Sequence, residues 1–320
     1  MKKILFSALA AMSLAACVQE AVVETPQGEA IAFENAFVDN ATRATATTTN
    51  NLDAFKVWGF INNTSGVVFD GTTVTKGTDA NHTTTGWYYG GVKYWVPGQD
   101  YYFAALAPLE DGAVANSVVT PVTGDPAKLG LGTVQFTNDL GDVDLVYAKD
   151  YVRSGVTNDP VAFTFQHLLS KVQFSFTYDM KETYLSAKVR DVKMVAPAGA
   201  TIDLATSAPA WADHDGTVAL EFGATGSFVE LFTIPTTDAY NYAISFTVDI
   251  YQTGTTDPIY TVNKTAAVET VLAMGHAYNF TAAITPETLS FDTIEFTVTD
   301  VEGWTTTQNP ETSLPVGDLI

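Results

Sequence analysis

Residues 244–250 read Ile244-Ser245-Phe246-Thr247-Val248-Asp249-Ile250, a strict alternation of apolar and polar side chains. A strand sends successive side chains to opposite faces, so this period of two puts Ile244, Phe246, Val248 and Ile250 on one face and Ser245, Thr247 and Asp249 on the other. The segment is expected to be a strand with its apolar face inward and its polar face outward. Similar patterns extend in both directions. In the second half they cover 161–167, 171–176, 188–194, 218–222, 228–234, 265–271, 277–284 and 291–299. In the first half Phe55-Lys56-Val57-Trp58-Gly59-Phe60 and Tyr101-Tyr102-Phe103-Ala104-Ala105-Leu106-Ala107 read as strands, and Asp144-Leu145-Val146-Tyr147-Ala148 closes the region. Asp70-Gly71 between Val67–Phe69 and Thr72–Val74 predicts a hairpin, as does Gly90-Gly91 between 87–89 and 92–95. The chain is rich in Thr, Val, Tyr and Phe, and no long stretch keeps a helical period. Strand spacing, with a turn-rich boundary at 154–160, predicts an all-β protein of two antiparallel β-sandwiches.

The N-terminus has a different character. Lys2 and Lys3 precede an apolar run, Ile4 to Ala16, too short to span a bilayer as a permanent helix. It ends in Leu14-Ala15-Ala16-Cys17, which resembles a bacterial lipobox, and Cys17 is the only cysteine in the chain. Residues 1–16 are therefore expected to be a lipoprotein signal peptide, with Cys17 the lipidated residue. Acyl chains contribute about 0.8 kcal/mol per buried CH₂, so a multiply acylated cysteine is a firm anchor. With one cysteine there is no intramolecular disulfide, and stability must come from the core.

The whole chain carries 15 basic and 36 acidic residues, a formal charge of −21. Removing residues 1–16 takes away Lys2 and Lys3 and no acid, leaving 13 against 36, or −23. That excess argues against nucleic acid as a partner. After the strand-like 30–38 comes a Thr/Ala/Asn-rich link, 40–51, without packing residues. Arg43 lies inside it as the only basic residue between Lys3 and Lys56. By its chemistry alone Arg43 reads either as a solvated linker arginine or as a target for a trypsin-like protease.

Candidate chemistry is sparse. His82, His167, His214 and His276 are dispersed, with no metal-ligand spacing, nucleotide-binding loop or nucleophile motif near them. Asp213-His214-Asp215 reads as a solvated acidic turn, and Asp139, Asp142 and Asp144 around Gly141 as a surface loop without the full calcium pattern. The eight aromatic residues from Trp87 to Phe103 read either as core or, through Trp87 or Trp95, as a sugar-stacking surface. No catalytic residue, metal or cofactor is expected, and no enzyme.

Taken in order, several strings resemble the fimbrillin family, the subunits of type V pili in Bacteroidetes. They are the lipobox; Ala41-Thr42-Arg43-Ala44; 55–60; 87–89; Tyr94-Trp95-Val96-Pro97-Gly98; 101–108; 144–148; Phe165-Gln166-His167-Leu168-Leu169-Ser170-Lys171-Val172; and Gly275-His276-Ala277-Tyr278-Asn279-Phe280. The resemblance implies two transthyretin-like sandwich domains, at 44–157 and 158–304. It also implies that 17–43 is a propeptide with a removable strand, cut at Arg43–Ala44 by an arginine-specific protease. Residues 305–320 become a donor tail whose apolar groups, Leu314, Val316, Leu319 and Ile320, fill a groove on the next subunit by donor-strand exchange. The implied protein is a pilin of a surface fimbria that supports adhesion, partnered by copies of itself and by anchor and tip subunits. Two alternatives stand beside it: an anchor or tip subunit, and a non-polymerising surface lipoprotein that binds glycan or host protein.

Overall fold

The structure is a computed structural model that describes residues 29–38, 51–61, 66–79, 82–108, 117–122, 130–154, 159–206, 208–290 and 293–301. The described residues form an all-β protein in several sheets. The first half contains β1 (Phe33–Val38), β2 (Ala54–Ile61), β3 (Gly66–Asp79), β4 (His82–Tyr88), β5 (Asp100–Ala107), β6 (Ser117–Val122), β7 (Gly130–Thr137) and β8 (Val146–Ser154). The second holds β9 (Val161–His167), β10 (Ser170–Tyr178), β11 (Leu185–Asp203), β12 (Trp211–Gly223), β13 (Leu231–Thr233), β14 (Tyr240–Gln252), β15 (Tyr260–Thr270), β16 (Ala277–Ile284), the short helix α1 (Pro286–Ser290) and β17 (Phe296–Asp300).

The spacing leads one to expect two facing sheets in the first half. The hydrogen bonds instead run round a closed barrel, in the order β1-β4-β3-β2-β5-β8-β9, because β1 enters between β4 and β9 and joins the ends. The second half is two sheets: β13-β10-β16-β17, and β15-β14-β11-β7-β6 with β12 also paired to β11. β11 is long enough to serve several partners. Leu185–Met194 pairs with β14, while Gly199–Asp203 pairs with β7. β6 and β7 thus come from the first half of the sequence and hydrogen-bond into a sheet of the second.

Three apolar clusters follow. One fills the barrel, around Phe33, Phe55, Phe69, Phe103 and Phe163. A second joins the halves, with Trp58, Tyr102, Leu106, Phe136, Ile202 and Trp211. The third fills the sandwich of the second half, around Phe174, Phe222, Phe246 and Phe280. β5 explains why its sequence is a continuous apolar run: Phe103, Ala105 and Ala107 face the barrel, and Tyr102, Ala104 and Leu106 face the joining cluster. Trp211 places its ring in that cluster and donates its indole N–H to the Leu168 carbonyl at 2.6 Å, which satisfies its one polar atom.

Three local expectations are corrected. Asp70-Gly71 is not a hairpin turn, for β3 runs straight through it. Between Val57↔Thr72 and Gly59↔Phe69 one extra residue is taken up on β3, and Gly71 there has φ +61°, the signature of a bulge. Residues 92–95 do not fold back on 87–89. They line up against 29–31, where Ala30 bridges Tyr94. On β14 the outward polar residues Thr247 and Asp249 are buried. Each is covered and bonded: Thr247 donates to Asn263 Oδ1 at 2.9 Å, and Asp249 accepts from Arg190 Nε and from Thr261 Oγ1, both at 2.6 Å.

The Arg190 guanidinium beside Asp249, aided by the Thr261 hydroxyl, holds that carboxyl below its usual value. A depressed folded-state pKa contributes stability that is present above the unfolded value, near pH 4, and is lost as pH falls through the folded one. Acid unfolding followed by circular dichroism should therefore show a shallower fall in stability below about pH 4 for Asp249→Asn than for the wild type. Equal slopes would remove Asp249 from the account of acid sensitivity.

Candidate functional site: the strand that closes the barrel

The segment 29–38 alternates at its start: Ile31 and Phe33 are buried, Ala32 and Glu34 exposed, and Ala36 is buried within the irregularity between Glu34 and Phe37. Its backbone is held on both sides. The Ile31 N–H donates to the Lys93 carbonyl at 2.8 Å, and the Trp95 N–H to the Glu29 carbonyl at 2.9 Å. On the other side the Val161 N–H donates to the Ala32 carbonyl at 2.8 Å, where the parallel ladder with β9 begins. The Tyr89 hydroxyl donates to the Ile31 carbonyl at 2.6 Å, and burial pushes its phenol up, which keeps the proton on the donor.

Phe33 is the anchor. Its ring stacks on Phe163 at 5.9 Å and meets Phe55, Phe69, Tyr89 and Phe103 edge-on at 5.9, 5.5, 5.6 and 6.2 Å. The floor beneath is kept open by Gly59, where a Cβ would lie 2.8 Å from Phe69 Cδ2 and 3.1 Å from Phe103. Removing β1 would leave an apolar trough with unpaired backbone groups on β4 and β9. Such an edge is a template for another strand.

The other sequence candidates do not converge. Trp95 is 2 % exposed and sits 4.7 Å from the Tyr101 ring. Trp87 is half-buried against Phe55. Of the eight aromatics, Tyr94 alone is exposed. Asp213, His214 and Asp215 lie on β12 rather than in a loop, and the His214 ring meets the Pro235 carbonyl at 2.8 Å. Asp144 turns inward to His167 Nδ1 at 3.0 Å, away from the exposed Asp139 and Asp142. That buried pair was not foreseeable from residues 23 positions apart. Elsewhere a surface groove of about 690 Å³ lies between β15 and residues 293–296. Cys17, Arg43, Ala44 and the tail residues Leu314, Val316, Leu319 and Ile320 lie outside the described residues. Arg43 follows the end of β1 and precedes β2 in the sequence.

The described residues thus form a strand-completed barrel beside two further sheets. The sequence model of the fimbrillin-like family matches residues 42–304, and the chain belongs to that family. Among solved structures, a fimbrial protein from Bacteroides vulgatus is similar at 17% identity, with 85% of this chain and all of that one covered and a TM-score of 0.56. A protein from Bacteroides uniformis, named as a candidate cell adhesion protein, is similar at 17% identity, with 86% and 98% covered and a TM-score of 0.53. No curated protein matches the chain.

The geometry makes Phe33 the test of how β1 is held. Phe33→Ala in a chain that retains β1 should lower unfolding stability by about 3–5 kcal/mol, read from urea denaturation. A loss below about 1 kcal/mol would mean that the ring cluster does not hold the strand.

Proposed function

We propose that the chain is a structural subunit of a cell-surface type V fimbria, made as a lipoprotein, cut after Arg43 and polymerised by donor-strand exchange. One observation carries this reading: β1 completes the barrel, and all of it lies on the N-terminal side of Arg43. A single cut at Arg43–Ala44 would free β1 without breaking any other strand. In this reading Cys17 is a transport tether at the outer membrane, lost with residues 17–43. The family match supports the division of labour, since 42–304 begins beside the cut and ends where the tail begins.

The barrel without β1 is a high-energy state. Ile31 and Phe33 each contribute on the order of 2–3 kcal/mol by burial, and their loss comes with unpaired ladder groups on two strands. The tail of the next copy, through Leu314, Val316, Leu319 and Ile320, refills the trough. Because donor and groove are different surfaces, the contact repeats head to tail and does not close, so a fibre grows. The cut takes away Glu20, Glu24, Glu29, Glu34, Asp39 and Arg43, leaving 12 basic and 31 acidic residues, or −19. We read the two halves as variants of the transthyretin-like sandwich, the first closed by β1, the second with edges at β15 and β17. Adhesion, partnership with anchor and tip subunits, and the arginine-specific protease belong to the same proposal.

The test is Arg43→Ala in the expressing cell, with intact mass of the surface protein. The expected wild-type subunit begins at Ala44 without lipid, and the variant keeps its lipidated Cys17 and forms no fibres. Normal fibres from the variant would refute the processing step. A wild-type protein that retains lipid on Cys17 would point to an anchor or to a non-polymerising lipoprotein.

A further inference from the structure

An extended segment on a protein surface turns every second side chain to solvent, and those places are ordinarily polar. Residues 92–96 depart from this. Trp95 is buried, while Val92, Tyr94 and Val96 all stand exposed, with Lys93 exposed among them. The segment does not depend on 29–31 alone for its place. The Trp95 ring lies 4.7 Å from Tyr101 and 5.9 Å from Phe103, and the Val96 N–H donates to the Tyr101 hydroxyl at 2.7 Å. These contacts remain when β1 departs, so the three apolar side chains stay presented. Single exposed apolar residues are ordinary, but three on one short segment mark a contact surface.

A second such group lies in the other half of the chain. Tyr184 and Ile259 are exposed on either side of the end of β14. The Thr253 N–H donates to the Tyr184 carbonyl at 2.8 Å, and the Ile259 N–H to the Ile250 carbonyl at 2.7 Å. Tyr251 stands between them, with the Lys188 ammonium 5.0 Å from its ring centre. Around this group Asp179, Glu182 and Asp257 are exposed.

The ladders put the two groups at opposite ends of the molecule. β9 runs from Val161 to His167 and passes into the second half at Leu168. Residues 92–96 lie with 29–31, beside the Val161 end of that strand. β11 runs from Leu185, next to Tyr184, to Ala200 and Ile202 in the joining cluster. One group therefore faces away from the sandwich and the other away from the barrel.

We infer that these groups are the two faces of one contact between successive copies: Val92, Tyr94 and Val96 of one against Tyr184, Tyr251 and Ile259 of the next, with Lys93 toward Asp257. The contact rests on the head-to-tail assembly proposed above and supplies its body-to-body surface. Two different faces at opposite ends repeat without closing. Charge favours the same match. Copies at −19 repel one another, yet here a lysine meets an acidic rim. The cut also removes Glu29, whose carbonyl accepts the Trp95 N–H, and so takes a negative charge from beside Lys93. The reach of the tail agrees. β17 ends at Asp300, opposite Tyr278 near the start of β16. Twelve residues separate Val301 from Leu314 and span at most about 40 Å. β16, along which they must pass, has eight residues, about 26 Å. The apolar end of the tail thus clears the sandwich and reaches a barrel seated against it.

The test uses chains of residues 18–320, which have no cysteine of their own, assembled after cleavage at Arg43 with an arginine-specific protease. Fibres mixed from Tyr94→Cys and Ile259→Cys chains should give a disulfide-linked pair on a non-reducing gel. The yield should be several-fold lower when Leu140→Cys, exposed beside the joining cluster, replaces Tyr94→Cys. Lys93→Glu should slow assembly several-fold, and Asp257→Lys added to it should restore the rate. Equal linkage at 140, or a double variant as slow as the single one, would overturn the contact and leave strand exchange standing. Fibres from a chain ending at Thr312 would overturn exchange by this tail, whatever the linkage shows.

Discussion

The closure of the barrel by β1 is the constraint on which the first half of the molecule depends. The strand is joined by unequal bonds. Its pairing with β9 is parallel, the weaker kind of ladder, and is broken by an irregularity after Glu34. Its pairing with β4 is a single register, Phe33↔Trp87, extended by the 29–31 contacts with 93–95. Against this short backbone grip stands one ring in contact with five others. β1 is held by what it buries more than by how it pairs. That is the kind of grip that the proposed strand exchange requires.

The joining cluster and the sandwich do not depend on β1 for their own packing. β5 is buried on both faces, one toward the barrel and one toward the cluster shared with the second half. β6 and β7 carry that tie further by pairing into the sheet of β11. Opening the trough therefore uncovers one cluster of three. The joining cluster and the sandwich keep their own partners, and the opened barrel has a rigid base against which an incoming strand can settle.

Much of this was legible from residues. The alternation at 244–250 marks β14, and Phe163 and Phe165 stand in the strand-like 161–167. The segment 30–38 stood out as a strand cut off from the rest by a link with Arg43 in it. What could not be read was long-range. That β1 closes a ring, rather than lying at the edge of a sheet, depends on β4 and β9 both reaching it, and no local pattern records two partners. Asp70-Gly71 misled because a glycine at positive φ serves a bulge as well as a turn, and the choice is made by β2 alongside. Thr247 and Asp249 misled because an outward polar residue is hidden when neighbours such as Arg190 and Thr261 bond across it. The Asp144–His167 pair carries no signal in sequence spacing at all.

Amide hydrogen exchange on β9 tests the central claim directly, because the Val161 N–H depends on the Ala32 carbonyl at the start of the strand segment that leads into β1. It should be compared in the uncut chain, in the freshly cut monomer and in the fibre. Protection is expected in the first, loss of protection in the second and its return in the third. Protection that stays unchanged after the cut would show that β1 is not the strand whose departure opens the subunit.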